Sequence, residues 1–288
     1  MGFTHIPVLL EEVTSNLISE KTEIFVDATL GGAGHSSFIL ERHKNLRLIG
    51  LDADKTALEI AGKKLTVFNE RATLIRGNFK DLKAILTSIG VSSIDSILFD
   101  LGLSTYQIMG KRGFSFNDDA FLDMRMDDQE SFTAFDVVNR YSYEDLRGVL
   151  EEYGEEFKAY RIAKAITDER KKNPIKTAKE LSAIILKAKK RTGRIHPATK
   201  TFQAIRIEVN NELKNLTSGI TDAADLLTPN GRIGVISFHS LEDRIVKNLF
   251  KTSCLLRATT KKPIIAGRAE IKENPNSRSA KLRVAERE

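Results

Sequence analysis

Four clusters in the first hundred residues have the types and order needed to hold a nucleoside-bearing cofactor. Asp27-Ala28-Thr29-Leu30-Gly31-Gly32-Ala33-Gly34-His35-Ser36 packs three glycines into one short turn. Without Cβ atoms the backbone there can reverse tightly and approach a ligand closely. Asp52 follows 20 residues after Gly32, a spacing at which a carboxylate accepts hydrogen bonds from both hydroxyls of a ribose. Gly77-Asn78-Phe79-Lys80-Asp81 offers an aromatic ring for an adenine face and a polar neighbour for its edge. Asp100 is a further carboxylate, set where a group donor and its acceptor would meet, and if buried it needs partners. A glycine-rich turn alone serves a dinucleotide, a methyl donor or a plain tight connection. The dinucleotide version wants another glycine three residues after Gly34, and that position is Ser37.

Positioning these groups takes a sheet whose strands all end at one edge. Short apolar runs at 23–27, 47–52, 73–77 and 96–100 read as strands, and helical spacing fills Ser36–His43, Lys55–Val67 and Lys80–Ile89 between them. That alternation is the βαβ rhythm of a doubly wound, Rossmann-like α/β domain. From Tyr143 to Ala188 only helical spacing appears, opened by a capping box at Ser142-Tyr143-Glu144-Asp145 and broken at Asn173-Pro174. Strand character returns at 232–238, after the Pro229-Asn230-Gly231 turn, and at 281–284. The reading is therefore a discontinuous domain, 1–108 with 200–288, carrying an inserted all-α domain at 109–199.

The charge distribution separates the same two parts. Net charge is +6 overall, yet Lys158–Arg206 alone holds 15 Lys/Arg against three acids, Asp168, Glu169 and Glu180, leaving the remainder net negative. A basic segment on an acidic body fits a polyanion-facing surface, and a solvated helix face is the alternative. One cysteine, Cys254, excludes an internal disulfide framework and fits a reducing compartment. No apolar run approaches the ~20 residues of a membrane span, no export signal opens the chain, and no ligand spacing predicts a metal. A cytoplasmic protein is expected.

Further along, Asp100-Leu101-Gly102-Leu103-Ser104, Gln107, Arg112-Gly113-Phe114-Ser115-Phe116 and Leu122-Asp123-Met124-Arg125-Met126-Asp127 together resemble one family, the bacterial ribosomal RNA small-subunit methyltransferase H family, also called MraW. The resemblance continues in order through His5–Leu10, the Asp27–Ser36 loop, His196–Ile207, Ser237–Arg244 and Arg278–Arg283. It implies S-adenosylmethionine-dependent N4-methylation of a cytidine in the decoding centre of 16S rRNA, on the 30S subunit or its RNA. Carried over position by position, it places donor binding on Ala33, Gly34 and His35, and on Asp52, Phe79, Asp100 and Gln107, with Gly32 in the same loop. Departures are few. Ala33 stands where the family usually has glycine or another small residue, Asp119-Ala120-Phe121 replaces a usual Asp-Gly-Pro, and Asn276 replaces a common arginine before Ser277.

Methyl transfer to an exocyclic amine needs in-line alignment and an acceptor for the amine proton, which makes Asp100 the expected catalytic residue. The base must leave its stack, so aromatic faces and edge-reading groups are needed: Phe114, Phe116, Phe238 and His239 are candidates, each also compatible with core packing. Ser240 reads as a plain helix cap. Phosphate contacts are expected from Lys189, Lys190, Arg191, Arg278 and Arg283. Other functions explain fewer of these features. A nicotinamide-dependent dehydrogenase leaves Ser37 and the basic insertion unexplained, and a non-catalytic ribosome-assembly RNA-binding protein does not require the glycine loop with Asp52 and Asp100. A DNA amino-methyltransferase would carry an Asn/Asp-Pro-Pro-aromatic motif where Asp100-Leu101-Gly102-Leu103 stands.

Overall fold

The computed structural model describes residues 6–103, 107, 110–189 and 196–288. The chain divides into two compact units, residues 1–104 with 213–288, and residues 105–212.

In the first unit the sheet is ordered β3-β2-β1-β4-β5-β8-β6, with β7 pairing β8. The strands are β1 (Ile24–Asp27), β2 (Arg47–Asp52), β3 (Ala72–Arg76), β4 (Ile94–Asp100), β5 (Leu227–Ser237), β6 (Leu256–Ala258), β7 (Ile264–Ile265) and β8 (Lys281–Arg287). Strands β1 to β5 run parallel, and β8 lies antiparallel between β5 and β6. Side chains alternate between two faces, as a pleated strand requires. Val26, Ile49, Ile97, Phe99 and Val235 enter one core, while Phe25, Leu48, Leu98, Ile236 and Leu282 enter the other. Covering both faces with apolar helices explains why β1, β2 and β4 read as continuous apolar runs. Helices α1 (Leu10–Leu17), α2 (Gly34–Arg42) and α3 (Lys55–Leu65) supply the second core. The first is filled by α4 (Leu82–Ser88) and, from later in the chain, by Leu216, Ile220 and Ala223 of Glu212–Leu226 and Val246 and Phe250 of Ser240–Thr252.

The strand at 227–237 starts earlier than its sequence predicts. Leu227 pairs with Ile94 and Arg232 with Ser96, so the Pro229-Asn230-Gly231 residues bulge out of a continuous strand, with Asn230 at φ 66. Gly219 illustrates how tightly this layer packs: a Cβ there would lie 2.9 Å from the Phe79 ring, 3.0 Å from the Phe79 carbonyl and 3.1 Å from the Phe99 ring. Gly219→Ala is expected to cost about 1–3 kcal/mol by overpacking and to shift Phe79, read as a lowered urea midpoint.

The second unit is helical: α5 (Ala134–Arg140), α6 (Tyr143–Glu152), α7 (Ala159–Glu169), α8 (Ala178–Ala188) and α9 (Thr199–Asn210). Local chemistry sets their starts. Ser142 Oγ accepts the Asp145 N–H at 3.0 Å, and Thr177 with Glu180 forms a capping box at α8. Buried Leu146, Leu150, Ile162, Ile166, Leu181 and Ile185 recur at helical spacing and form the inter-helix seams. The boundary expected at 199/200 lies at 212/213. Helix α9 packs on α5 and α6, and Asn210 fastens its end by accepting the Met126 N–H at 2.7 Å and donating to the Met124 carbonyl at 2.8 Å. Those bonds tie 199–210 to the inserted unit. No described helix is long and apolar enough to cross a membrane.

Candidate active site

The glycine loop links β1 to α2 and is fixed from below by Asp27. This carboxylate is fully buried; it accepts the Ser36 hydroxyl at 2.6 Å and the Thr29 N–H at 3.3 Å. Burial pushes its pKa up, and the Ser36 hydroxyl pulls it back. Thr29 continues the chain of contacts, since its Oγ1 accepts the Asp100 N–H at 2.6 Å. One buried acid therefore fixes the start of α2 through Ser36 and the end of β4 through Thr29. The loop's tight path appears as left-handed backbone at Gly31 (φ 51) and Ala33 (φ 55). For alanine that conformation costs about 1–2 kcal/mol, offset here because the Ala33 methyl is fully buried in the core.

His35 and Asp100 meet at the sheet edge. His35 Nε2 lies 2.9 Å from the Val8 carbonyl; a carbonyl only accepts, so Nε2 carries the proton. Burial lowers the pKa of the ring, which leaves neutral Nδ1 as an acceptor. Nδ1 stands 3.7 Å from Asp100 Oδ2. Two acceptors facing each other across that gap suit a cationic donor such as an ammonium group. The other oxygen of Asp100 takes the Gly102 N–H at 3.4 Å, and the Phe238 ring lies directly over Gly102, within 2.9 Å of where a Cβ would be.

Asp52 ends β2. Its Oδ2 accepts the Gly31 N–H at 2.8 Å and its Oδ1 accepts the Asp54 N–H at 2.8 Å. Burial raises its pKa to about 6 despite these bonds. The folded protein thus binds this proton more tightly than the unfolded chain does. Its contribution to stability accordingly falls as pH rises from about 4 to 6. The ribose-binding role expected of Asp52 has the opposite sign, because accepting bonds from hydroxyls needs the carboxylate form. Donor affinity is expected to rise as pH passes about 6 and then level off, measurable by calorimetry from pH 5 to 8. Phe79 sits in the turn after β3, edge-on to Phe99 with centroids 5.5 Å apart.

The first unit thus brings Gly32, Ala33, Gly34, His35, Asp52 and Asp100 to one edge, at the carboxyl ends of β1, β2 and β4, with Phe238 beside Asp100. Gln107, Phe114 and Phe116 belong to the helical unit. Gln107 is buried there. Phe114 is buried, with Arg112 5.9 Å from its ring centre, and the Phe116 ring stacks on His196 at 4.2 Å. Among the phosphate-binding candidates, Arg278 is exposed. Lys189 is ion-paired to the buried Glu156, and Arg283 donates to Asp243 at 2.7 Å, so both charges are already matched within their own units. Lys190 and Arg191 lie outside the described residues. The helix cap expected at Ser240 falls one residue earlier, on His239. This histidine is the N-cap of the helix at 240–252, with Nδ1 accepting the Glu242 N–H at 3.4 Å while Glu242 Oε2 takes the Phe238 and His239 N–H groups. Sequence reasoning did not single out Thr29, Val8 or the Asp27–Ser36 bond. Threonine directly after Asp27-Ala28 was the one available signal.

The chain matches the model of the MraW methylase family over residues 2–288. It is 52% identical over 289 residues to the "Ribosomal RNA small subunit methyltransferase H" of Sulfurihydrogenibium sp. (strain YO3AOP1), covering 98% of this chain and 99% of that protein. Identity to the protein of the same name from Clostridioides difficile (strain 630) is 46% over 310 residues, covering all of both chains. A facing pair of acceptors beside a glycine loop, and a family match spanning both units, lead to one assignment: this chain is a methyltransferase belonging to the MraW methylase family.

Proposed function

We propose that the enzyme methylates the exocyclic N4 amine of a cytidine in the decoding centre of 16S rRNA, acting in the cytoplasm on the small ribosomal subunit or its RNA. Its cofactor is S-adenosylmethionine, which when bound supplies an electrophilic methyl group on a sulfonium centre. The acceptor set of the loop fits such a molecule. Asp52 offers a carboxylate to ribose hydroxyls, and Asp100 with His35 Nδ1 offers the paired acceptors an α-ammonium needs. Gly32, Ala33 and Gly34 carry backbone close to the ligand, Phe79 supplies an aromatic surface, and Gln107 is assigned by resemblance.

Asp100 carries the mechanistic reading. Its backbone is held by Thr29 and its side chain lies at the parallel-strand edge beside Phe238. A carboxylate oxygen here can accept a hydrogen bond from the cytosine amine, localising the nitrogen lone pair, and take the proton lost as the new N–C bond forms. Holding the Asp100 backbone at Thr29 leaves only its short side chain to orient this oxygen, which favours the alignment that in-line transfer demands. Phe238 offers a ring face to the extruded base, and Arg278 an exposed cation to phosphate.

The test is to incubate the enzyme with tritiated S-adenosylmethionine and unmodified 30S subunits or free 16S RNA, then identify the labelled nucleoside. Labelled N4-methylcytidine is expected. Label in another nucleoside would move the acceptor, and donor binding without any label would remove the proposed substrate.

A further inference from the structure

The turn between α6 and α7 inverts the usual arrangement of side chains. Glu156 points inward, 4% exposed, where Oε2 takes the Lys189 ammonium and Oε1 the Lys158 N–H. Its neighbour Phe157 points outward and is 94% exposed, the most exposed large apolar side chain among the described residues. Packing alone favours the reverse, a buried ring and a solvated carboxylate. The ring is also furnished with cations. Lys200 donates to the Glu155 carbonyl at 2.7 Å, which holds its ammonium 5.4 Å from the Phe157 ring centre. Lys158 follows directly in sequence, and one turn of helix on stands Tyr160, 46% exposed, with the Arg161 guanidinium donating to its hydroxyl at 2.8 Å.

The turn and the end of α6 carry acids, with Glu151 paired to Arg147, Glu156 to Lys189 and Glu152 exposed, so the cations around the ring decide what such a surface would take. The three acids of the basic segment are already engaged: Asp168 with Lys164 and Lys171, Glu169 with Lys172, and Glu180 in the cap of α8. An apolar plane bordered by cations offers a nucleobase a stacking face and the adjoining backbone its counter-charges. We propose that Phe157, with Tyr160, Lys158 and Arg161, forms a stacking platform for an unpaired RNA nucleotide, a contact separate from the methyl-transfer site. It rests on the RNA reading above and adds to it where on the helical unit the substrate is gripped.

The chain contains no tryptophan, so Phe157→Trp introduces a single indole whose fluorescence a stacked base quenches. With transcribed, unmethylated small-subunit rRNA, saturable quenching is expected in this variant. Phe157→Ala should weaken RNA binding about 5- to 150-fold while keeping its salt slope, because no phosphate contact is lost. Donor affinity measured without RNA checks the fold of both variants. Full binding by Phe157→Ala with no quenching in Phe157→Trp, in a wild-type protein that binds and methylates RNA, would overturn the platform alone. Weakened binding to assembled subunits but not to protein-free RNA would assign the surface to a ribosomal protein and overturn it too. A wild-type protein that neither binds nor methylates RNA would overturn both readings.

Discussion

Replacing Asp100 by asparagine should slow methyl transfer by about 10²- to 10⁴-fold, the usual worth of a positioned proton acceptor. The substitution preserves shape, and the Asp100 N–H bond to Thr29 Oγ1 at 2.6 Å involves only backbone on the Asp100 side, so β4 should end where it does now. What changes is the acceptor. An amide nitrogen cannot take the amine proton, and it can turn toward His35 Nδ1, 3.7 Å from the present Oδ2. That rotation weakens the paired acceptors, but exchanging a charged partner for a neutral one costs only about 1–1.5 kcal/mol, near tenfold in donor affinity. Single-turnover transfer at saturating donor separates the two effects. Normal transfer with lost donor affinity would make Asp100 a binding residue and remove it as the proton acceptor.

Lys189→Ala should produce the largest loss of stability, about 3–5 kcal/mol, because it strands a buried carboxylate. Glu156 is 3% exposed at its side chain and Lys189 18%, so the carboxylate loses its cation in a site with little access to water. The measurement is urea unfolding of the helical unit followed at 222 nm. The double variant Lys189→Met with Glu156→Gln should recover most of the loss, since it removes both charges together. A single variant as stable as wild type would show that Glu156 finds another partner. This pair also bears on RNA-binding experiments: a triple substitution of Lys189, Lys190 and Arg191 would mix lost phosphate contacts with a loosened fold.

The sheet and the glycine loop were legible in the sequence because their causes are local. Alternating strand and helix spacing marks β1 to β4, and close glycines mark a backbone that must turn and approach a ligand. Contacts between distant positions were not. Lys189 reads as one more cation in a basic run, and its partner lies 33 residues away. Arg283 reads as part of a basic tail, yet Asp243 meets it across 40 positions. The cap at His239 was missed by one residue because serine is the commoner cap type, while Glu242 reaches back to His239 and fixes the earlier start. Helix 199–210 carries no strand or break signal to say which unit it joins, and the choice is made by Asn210 gripping the 124–126 segment. Phe157 escaped notice for a related reason: apolar spacing implies burial, and only the inward turn of Glu156 forces the ring out.

Strand β8 lies between β5 and β6 rather than at an edge. The first unit therefore cannot close its sheet until residues 281–287 have been made, whereas 105–212 is contiguous and can fold while synthesis continues. On a translating ribosome the helical unit should mature first, and strands β1 to β4 must wait, with an open edge at β4, until β5 at Leu227–Ser237 has been made. Such an open edge invites pairing with the wrong partner, so premature release of the chain leaves an aggregation-prone intermediate rather than a weakened enzyme.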